Sequence, residues 1–365
     1  MKRFKTIDIL RGLSMVHMIV GHMTEWYLTQ EGMWFFDIYR AIGDPFGSGA
    51  FLFLSGVSAI LSYRNRTKKA KISKSYSKKT LRNEYFLRAF FILIISLLYN
   101  TFVALIFHDL SIIWNWFILL TISISLIMIW PLFKTSKVFR ICFGIILWFL
   151  NQILITFLLG YVGQNNLFGV LYYVLYNNLE LDPILSFFTF FVIGTVIGDV
   201  LYDLYSDDNK MVNREVFKRN FLIPSLISGV ILIVFGIIFQ FPNFLHHRTF
   251  SWFFYSLGIE LIMFAFILGI EEIGMLNTQK SYRFLSYFSY YSFTVYLLHN
   301  LLYFLFLDSL YPFNIWIYMS ATILIIGFAL RSIYNKFGSN FSIKAQIGRL
   351  SLGIATLIDN RKNFN

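Results

Sequence analysis

The sequence predicts an all-α integral membrane protein of about ten transmembrane helices, and three observations support that prediction. Of its 365 residues, 57% are hydrophobic and only 14% are charged, whereas a soluble domain carries roughly 25% charged residues because its surface must be wetted. The charged residues cluster between long apolar runs. Runs of about 20 apolar residues cross a hydrocarbon core of roughly 30 Å, and they do so as helices because a helix satisfies its own backbone in lipid.

The predicted spans follow one another with short loops between them. The first span is long, lacks a small-residue cleavage site and carries Arg11, His17 and His22, so we expect a retained helix instead of a removed leader. A further apolar piece, Leu167 to Tyr176, is too short to cross the bilayer and is expected to be interfacial, re-entrant or a short extracytoplasmic helix. The ten predicted spans are residues 7–28, 46–63, 84–107, 112–133, 138–160, 183–203, 221–240, 251–272, 285–307 and 313–334.

Basic residues predict the orientation, because Lys and Arg concentrate in cytoplasmic loops. With ten helices and the N-terminus inside, the basic run from Arg64 to Lys79 is cytoplasmic, and only Arg40 and Arg248 fall clearly outside. One helix more or fewer would invert this bias in every later loop. We therefore expect both termini in the cytoplasm.

The net charge of +12 lies mostly in the loops of that one side, which favours membrane lipids and not nucleic acid as the partner of the basic residues. No loop is long enough for a soluble domain, so residues 1–334 form one predicted membrane domain. Residues 335–365 form a predicted cytoplasmic tail, which is amphipathic from Ile343 to Ile358 and is expected to lie on the inner membrane surface.

Ionisable residues in a membrane helix are costly, so they mark candidate sites. Arg11 lies near the cytoplasmic end of the first span, with Asp8 one turn before it and able to form an ion pair. The alternative, that Arg11 only extends its side chain to the inner interface, stays open. His22 follows Arg11 by eleven residues, which is three helical turns and about 16 Å along the axis. Both side chains therefore face nearly the same way.

Two further histidines require different interpretations. His17 points about 140° away from His22 around the helix, so we expect it to be a packing or hydrogen-bonded residue. His299, in the ninth span, lies at a depth similar to that of His22, and the two imidazoles could bracket a reaction centre. A purely structural hydrogen-bonding role for His299 stays open and is slightly favoured. Glu260 is the best intramembrane carboxylate, while Glu25 and Asp44 lie near the outer membrane surface.

The sequence contains no metal-ligand motif. His246 and His247 are adjacent instead of one helical turn apart, and no carboxylate completes a ligand set. There is also no GxSxG nucleophile turn and no phosphate-binding loop. We therefore expect a protein without a metal cofactor.

Three stretches of the sequence resemble the transmembrane acyltransferases. The similar families are the heparan-alpha-glucosaminide N-acetyltransferases and the related membrane O-acyltransferases that modify surface polysaccharides. The helix count agrees over nearly the whole chain, and the residue-level resemblance covers the first ninety residues or so and the ninth span. The stretches are Ile7 to Met15 followed by His22, Asp44 to Phe46 followed by Phe51 to Ser58, and Ser292 to His299.

The resemblance implies transfer of an acyl group, most often acetyl, from cytoplasmic acyl-CoA to an acceptor at the outer face. In the polysaccharide O-acyltransferases, an Arg and a His at this eleven-residue spacing are both needed, and they correspond to Arg11 and His22. Arg88 resembles a basic position that these families also keep. The heparan enzymes place their key histidine near the second helix, where this chain has Gly32 to Trp34 and no histidine. The acceptor therefore stays open between a sugar hydroxyl and an amine.

These residues suggest a mechanism. An attacking hydroxyl or amine must lose a proton, and the usual pKa of histidine, about 6.5, suits His22 as the base. Asp44 or Glu25 would orient His22, and His299 completes the predicted catalytic group with His22 and Asp44. The phosphates of acetyl-CoA, the expected acyl donor, would meet basic residues. The candidates are Arg11, Arg64 and Arg88.

A second class of function stays open: a multi-helix transporter or lipid-linked sugar flippase without acyl chemistry. Charged intramembrane residues and ten helices suit it equally well, but transporters are commonly built from repeats, and the sequence contains no clear repeat. The expected partners are acyl-CoA, a sugar or glycan acceptor and membrane lipids, with a homodimer left open. We expect the protein in the cell membrane.

Overall fold

A computed structural model describes residues 3–73, 76–177, 181–206, 213–246, 249–276 and 279–361. His247 and Arg248, which entered the sequence analysis, lie outside the described residues. Within the described ranges the chain is helical, and its one β-type contact is an isolated bridge between Leu28 and Leu310. The all-α prediction is confirmed.

Fifteen α-helices occur in the described residues. Numbered α1 to α15 in chain order, the helices are Lys5–Tyr27, Met33–Gly43, Ser48–Ile72, Lys78–Phe107, Ile118–Ile129, Lys137–Leu158, Leu167–Leu175, Ile184–Tyr205, Arg214–Phe217, Ile223–Phe239, Phe250–Ile273, Gln279–Tyr290, Ser292–Leu298, Ile315–Phe337 and Ile343–Arg361. Short 3-10 turns join several of them, including Asp44–Phe46 and His299–Phe304.

Eight helical segments of the described chain are long and apolar enough to cross a membrane, so the protein is a polytopic membrane protein. Helix α1 has 23 residues but is not among these eight, because Arg11, His17, His22 and Glu25 lower its mean hydropathy. The count of ten spans and the cytoplasmic placement of both termini remain predictions. The short predicted piece forms α7, which at 9 residues is too short to span, as expected.

The ninth predicted span is not one continuous helix. It divides into α12, α13 and the 3-10 turn His299–Phe304, with the break at Tyr291. Hydrogen bonds from outside the span accompany the break, because the Ser342 hydroxyl donates to the Tyr290 carbonyl at 3.3 Å and the Tyr291 hydroxyl donates to the Gly338 carbonyl at 2.6 Å. His299 therefore begins a short turn and does not lie in the middle of a long helix.

The chain forms two compact units. The first comprises Leu52–Met211 and Ile347–Asn365, together with Met1, and the second comprises Lys2–Phe51 and Val212–Gln346. The prediction of one membrane domain over residues 1–334 with a separate tail stays untested. The tail is helical as α15, which agrees with the predicted amphipathic segment, and most of that helix belongs to the first unit.

Glycines permit close helix packing within each unit. In the second unit, a Cβ added to Gly12 of α1 would stand 2.2 Å from the Leu285 carbonyl oxygen of α12. In the first unit, a Cβ at Gly56 of α3 would stand 2.1 Å from the Phe191 carbonyl oxygen of α8. No side chain fits at either separation, and small residues in this role are typical of membrane helix interfaces.

Candidate active site

Helix α1 carries the predicted base, and a remote carboxylate fixes its first turn. The residue before the helix makes no side-chain capping hydrogen bond. Instead, the buried Glu271 of α11 accepts hydrogen bonds from the backbone N–H groups of Lys5 and Thr6 at 3.2 and 2.8 Å, and from the Thr6 hydroxyl at 2.7 Å. A carboxylate at this end also complements the helix dipole. This contact anchors the helix from which both Arg11 and His22 project.

The other end of α1 is bonded to the segment that follows the 3-10 turn His299–Phe304. The Tyr27 carbonyl accepts from the Ser309 and Leu310 N–H groups at 3.0 and 2.7 Å. The Tyr27 hydroxyl donates to the Leu302 carbonyl inside that turn at 2.6 Å. These bonds hold the turn, and therefore His299, against the last two turns of α1.

The structure brings His22 and His299 together, with 5.0 Å between their ring centroids. Trp26, one turn after His22, stacks on the His22 ring at 4.8 Å, and Tyr303 meets the Trp26 ring edge-on at 5.4 Å. Glu25 lies 3.2 Å from Nδ1 of His22. We call these five residues, His22, Glu25, Trp26, His299 and Tyr303, the His22 cluster.

The two imidazoles differ in accessibility. The His22 side chain is 39% exposed and the Glu25 side chain 49%, whereas His299 is only 5% exposed. Nδ1 of His299 is within hydrogen-bond distance of the Tyr296 backbone carbonyl. Only His22 of the pair is therefore open to a substrate, and His299 packs behind it.

The contacts of Nδ1 determine which nitrogen is available for chemistry. Because Glu25 accepts hydrogen bonds, the Nδ1–H of His22 points at the carboxylate and Nε2 carries the lone pair. The Tyr296 carbonyl likewise selects the Nδ1–H form of His299. A histidine oriented by a carboxylate in this way is suited to accept a proton from an attacking hydroxyl or amine.

A second polar group surrounds His17. The Tyr39 hydroxyl is 2.5 Å from Nδ1 of His17, and the two rings stack at 5.1 Å. A Cβ added to Gly43 would stand 2.4 Å from Cε1 of His17, so only glycine leaves room for this ring. His17 is a hydrogen-bonded packing residue, as its position on the helix predicts.

Asp44 lies beside this second group. Its carboxylate accepts from Nε of Arg40 at 3.3 Å and is close enough to interact electrostatically with both His17 and Glu25. The carboxylate at hydrogen-bond distance from His22 is Glu25, so the geometry favours Glu25 over Asp44 among the two predicted orienting groups.

The three predicted cofactor-binding arginines have different surroundings. Arg11 is buried in the second unit, where Asp8 interacts with it electrostatically and also accepts hydrogen bonds from Arg3 at 2.7 and 2.9 Å. Arg88 lies half-buried in α4 of the first unit. Arg64, also in the first unit, is bound to a carboxylate of α8.

That carboxylate is Asp199 of α8. Arg64 donates to both of its oxygens, at 2.8 and 3.0 Å, and the fully buried Arg140 of α6 forms an ion pair with the same carboxylate. Arg140 also donates to the Thr195 carbonyl and hydroxyl at 3.1 and 2.9 Å. We call Arg64, Arg140 and Asp199 the Asp199 trio, and its bonds join α3, α6 and α8.

Sequence reasoning missed Trp26, Tyr303, Arg140 and Asp199. The last two lie inside predicted spans, so the rule that singled out Arg11 would also have found them. Trp26 follows His22 by four residues, which is the helical spacing at which side chains meet. No comparable signal identified Tyr303, whose contact depends on the broken ninth span. Among the described residues, no group of three or more His, Cys, Asp or Glu side chains could hold a metal ion.

Comparison with known proteins identifies the family of the chain. Residues 3–229, well over half of the chain, match the family described as heparan-alpha-glucosaminide N-acetyltransferase, catalytic. The matched range includes Arg11, His22, Glu25 and Asp44, and it ends before His299. A search of curated proteins gave no match, and neither did a search of solved structures. The extent of the family match shows that this chain belongs to the heparan-alpha-glucosaminide N-acetyltransferase catalytic family.

Proposed function

We propose that this protein moves an acetyl group from cytoplasmic acetyl-CoA to a hydroxyl or amine of a sugar or glycan at the extracytoplasmic face of the cell membrane. One observation supports this proposal above the others. A half-exposed histidine pairs with a carboxylate on the first helix and packs against a second, buried histidine. Together with the family match, this arrangement favours acyl transfer over transport.

His22 acts as the general base in this proposal. As the acceptor oxygen or nitrogen attacks the thioester carbonyl, its proton passes to Nε2 of His22, the new acyl bond forms and the carbon–sulfur bond breaks. CoA leaves with the electron pair of that bond, and the proton on His22 then neutralises the sulfur. Glu25 holds the ring and stabilises the imidazolium, while His299 positions His22 from behind.

Arg11 and His22 support a route for the donor. They lie on one stripe of α1, about 16 Å apart along the helix axis, a length comparable to the pantetheine arm of CoA. Arg11 would bind the phosphates of acetyl-CoA, and His22 would lie beside its acetyl group. Arg88 is a second candidate for the phosphates. Arg64 is the third candidate, although Nε and Nη2 of its guanidinium group already donate to Asp199.

The aromatic members of the His22 cluster favour a sugar acceptor. Trp26 stacks on His22 and Tyr303 meets Trp26 edge-on, and aromatic surfaces next to polar groups suit the apolar face of a pyranose. The carboxylate of Glu25 accepts hydrogen bonds from hydroxyl and amino groups alike. These contacts leave the choice between hydroxyl and amine to experiment.

The test uses the purified full-length chain with radiolabelled acetyl-CoA and a panel of amino sugars and hydroxylated glycans. We expect release of CoA and labelling of one acceptor class by the wild type. We expect His22→Ala to lower the rate by about 10²–10⁴-fold, the usual contribution of a general base. His246→Ala is the matched control, because His246 has an exposed side chain outside the cluster and its loss should leave the rate unchanged.

Two outcomes would contradict the proposal. If the wild type neither binds nor turns over acetyl-CoA, the assignment of acetyl-CoA as the acyl donor is wrong. The transporter alternative is then tested by measuring flux in liposomes without CoA. If His22→Ala is as active as the wild type, transfer occurs but the assignment of the base is wrong.

A further inference from the structure

The C-terminal helix α15 presents three different faces. Its buried face contains Ile347, Ser351 and Ala355, spaced four residues apart and packed within the first unit. The polar Arg349 and Thr356 lie on the opposite side, about 140–160° away at 100° per residue. Leu350 and Leu357 occupy a flank between these two faces and are 56% and 63% exposed.

Asp359 fixes the end of this helix to the start of α4. Its carboxylate accepts hydrogen bonds from the Ser77 and Thr80 hydroxyls, both at 2.5 Å, and lies 3.5 Å from Nζ of Lys79. Ser77 is also the N-cap of α4 and accepts from the Thr80 N–H at 3.0 Å. The contact therefore joins a negative charge to the positive end of the helix dipole of α4.

The surface around this contact carries an excess of positive charge. Described acidic groups there are already paired, because Glu84 forms an ion pair with Arg66 and Asp359 with Lys79. The exposed basic side chains at the end of α3 and the start of α4 are Lys68, Lys69, Lys71, Lys78 and Arg82. Each Lys or Arg close to an anionic membrane surface strengthens the attraction of the protein to that surface.

We infer that α15 is an interfacial helix that lies on a surface of acidic phospholipid, with Leu350 and Leu357 inserted among the acyl chains. The exposed leucines supply the apolar contact, and the neighbouring lysines and arginine supply the complementary charge. Asp359 holds the helix at the level of these basic residues. The inference does not depend on acyl transfer, so it can fail or hold independently of the proposed function.

Spin labels on the full-length chain test this inference. The chain has one cysteine, Cys142, so Cys142→Ser gives a background free of competing label. Leu350→Cys and Leu357→Cys place labels on the apolar flank. Arg349→Cys and Thr356→Cys are matched controls, because each is the sequence neighbour of a test position and is rotated about 100° from it.

The labelled proteins are reconstituted in nanodiscs of phosphatidylglycerol or of phosphatidylcholine, and collision of each label with oxygen and with a water-soluble nickel chelate is measured. In phosphatidylglycerol we expect oxygen collisions to dominate at positions 350 and 357, and chelate collisions at 349 and 356. We expect the difference in the ratio of oxygen to chelate collisions between the two pairs of positions to be at least twofold smaller in phosphatidylcholine than in phosphatidylglycerol.

Three results would overturn the inference. Chelate access at all four positions would show a helix in water. Leucine positions screened from both reagents would show a protein contact, such as a second copy of the chain, instead of lipid. An equal contrast in both lipids would refute acidic phospholipid as the partner.

Discussion

The His22 cluster and the Asp199 trio are both groups of ionisable side chains in helices of a membrane protein, but their surroundings differ. In the trio, two arginines share one buried carboxylate and further bonds join Arg140 to Thr195. In the cluster, His22 and Glu25 are partly exposed and share one contact of 3.2 Å. The difference in exposure suggests a structural use for the buried charges of the trio and leaves the partly exposed pair of the cluster accessible to a substrate.

The largest effect is expected from removing one buried charge of the trio. Asp199→Leu should destabilise the protein by about 3–5 kcal/mol, because the fully buried Arg140 would lose its counter-charge. Thermal unfolding in detergent measures the change. The triple variant Arg64→Met, Arg140→Met, Asp199→Leu should recover much of the loss, since replacing a buried group of paired charges by apolar residues is often neutral. A single variant as stable as the wild type would contradict a structural role for the trio.

The next effect separates the two candidate carboxylates of the site. Glu25→Gln should reduce the rate of CoA release by at least roughly tenfold, because His22 would lose the carboxylate that orients its Nδ1–H and stabilises its imidazolium. Asp44→Asn is the matched change and should have a smaller effect. Both variants should unfold near the wild-type temperature, because neither carboxylate is deeply buried. A larger loss of activity in Asp44→Asn would reverse the assignment.

A third comparison contrasts two arginines of the first unit. Arg64→Gln should lower the unfolding temperature, because it removes two hydrogen bonds to Asp199. Arg88→Gln should raise KM for acetyl-CoA by about tenfold, the effect of losing one charge-assisted hydrogen bond. If Arg64→Gln raises KM for acetyl-CoA without lowering the unfolding temperature, then Arg64 binds the donor and its contact with Asp199 does not stabilise the fold.

The smallest effect concerns the attachment of α15. Asp359→Asn keeps the shape of the side chain but removes its charge, so we expect a loss of at most about 1 kcal/mol from the helix-dipole and hydrogen-bond terms. Faster motion of a spin label at Leu357 is the measurement. Asn360→Ala, at the neighbouring exposed position, is the control and should leave the motion unchanged. Equal motion in wild type and Asp359→Asn would show that other contacts hold the helix.

Local patterns in the sequence determined much of this protein. Apolar runs predicted the helical membrane fold, and the eleven-residue spacing placed Arg11 and His22 on one stripe of a single helix, because helical periodicity depends only on neighbouring residues. The same local rule favours Glu25 over Asp44 as the partner of His22, since residues three apart on a helix meet. The sequence already predicted that a carboxylate orients His22, and this spacing rule could also have chosen Glu25 over Asp44.

Only the tertiary structure decided the remaining features. His299 meets His22 across 277 residues of chain because the ninth span breaks at Tyr291 and hydrogen bonds hold the turn that follows against α1. Arg64 binds Asp199, 135 residues away, and Glu271 caps α1 from 265 residues away. Composition and spacing reveal that such charges need partners, because burial without one is costly. Which partner each charge finds depends on how distant helices pack, and no local pattern encodes that.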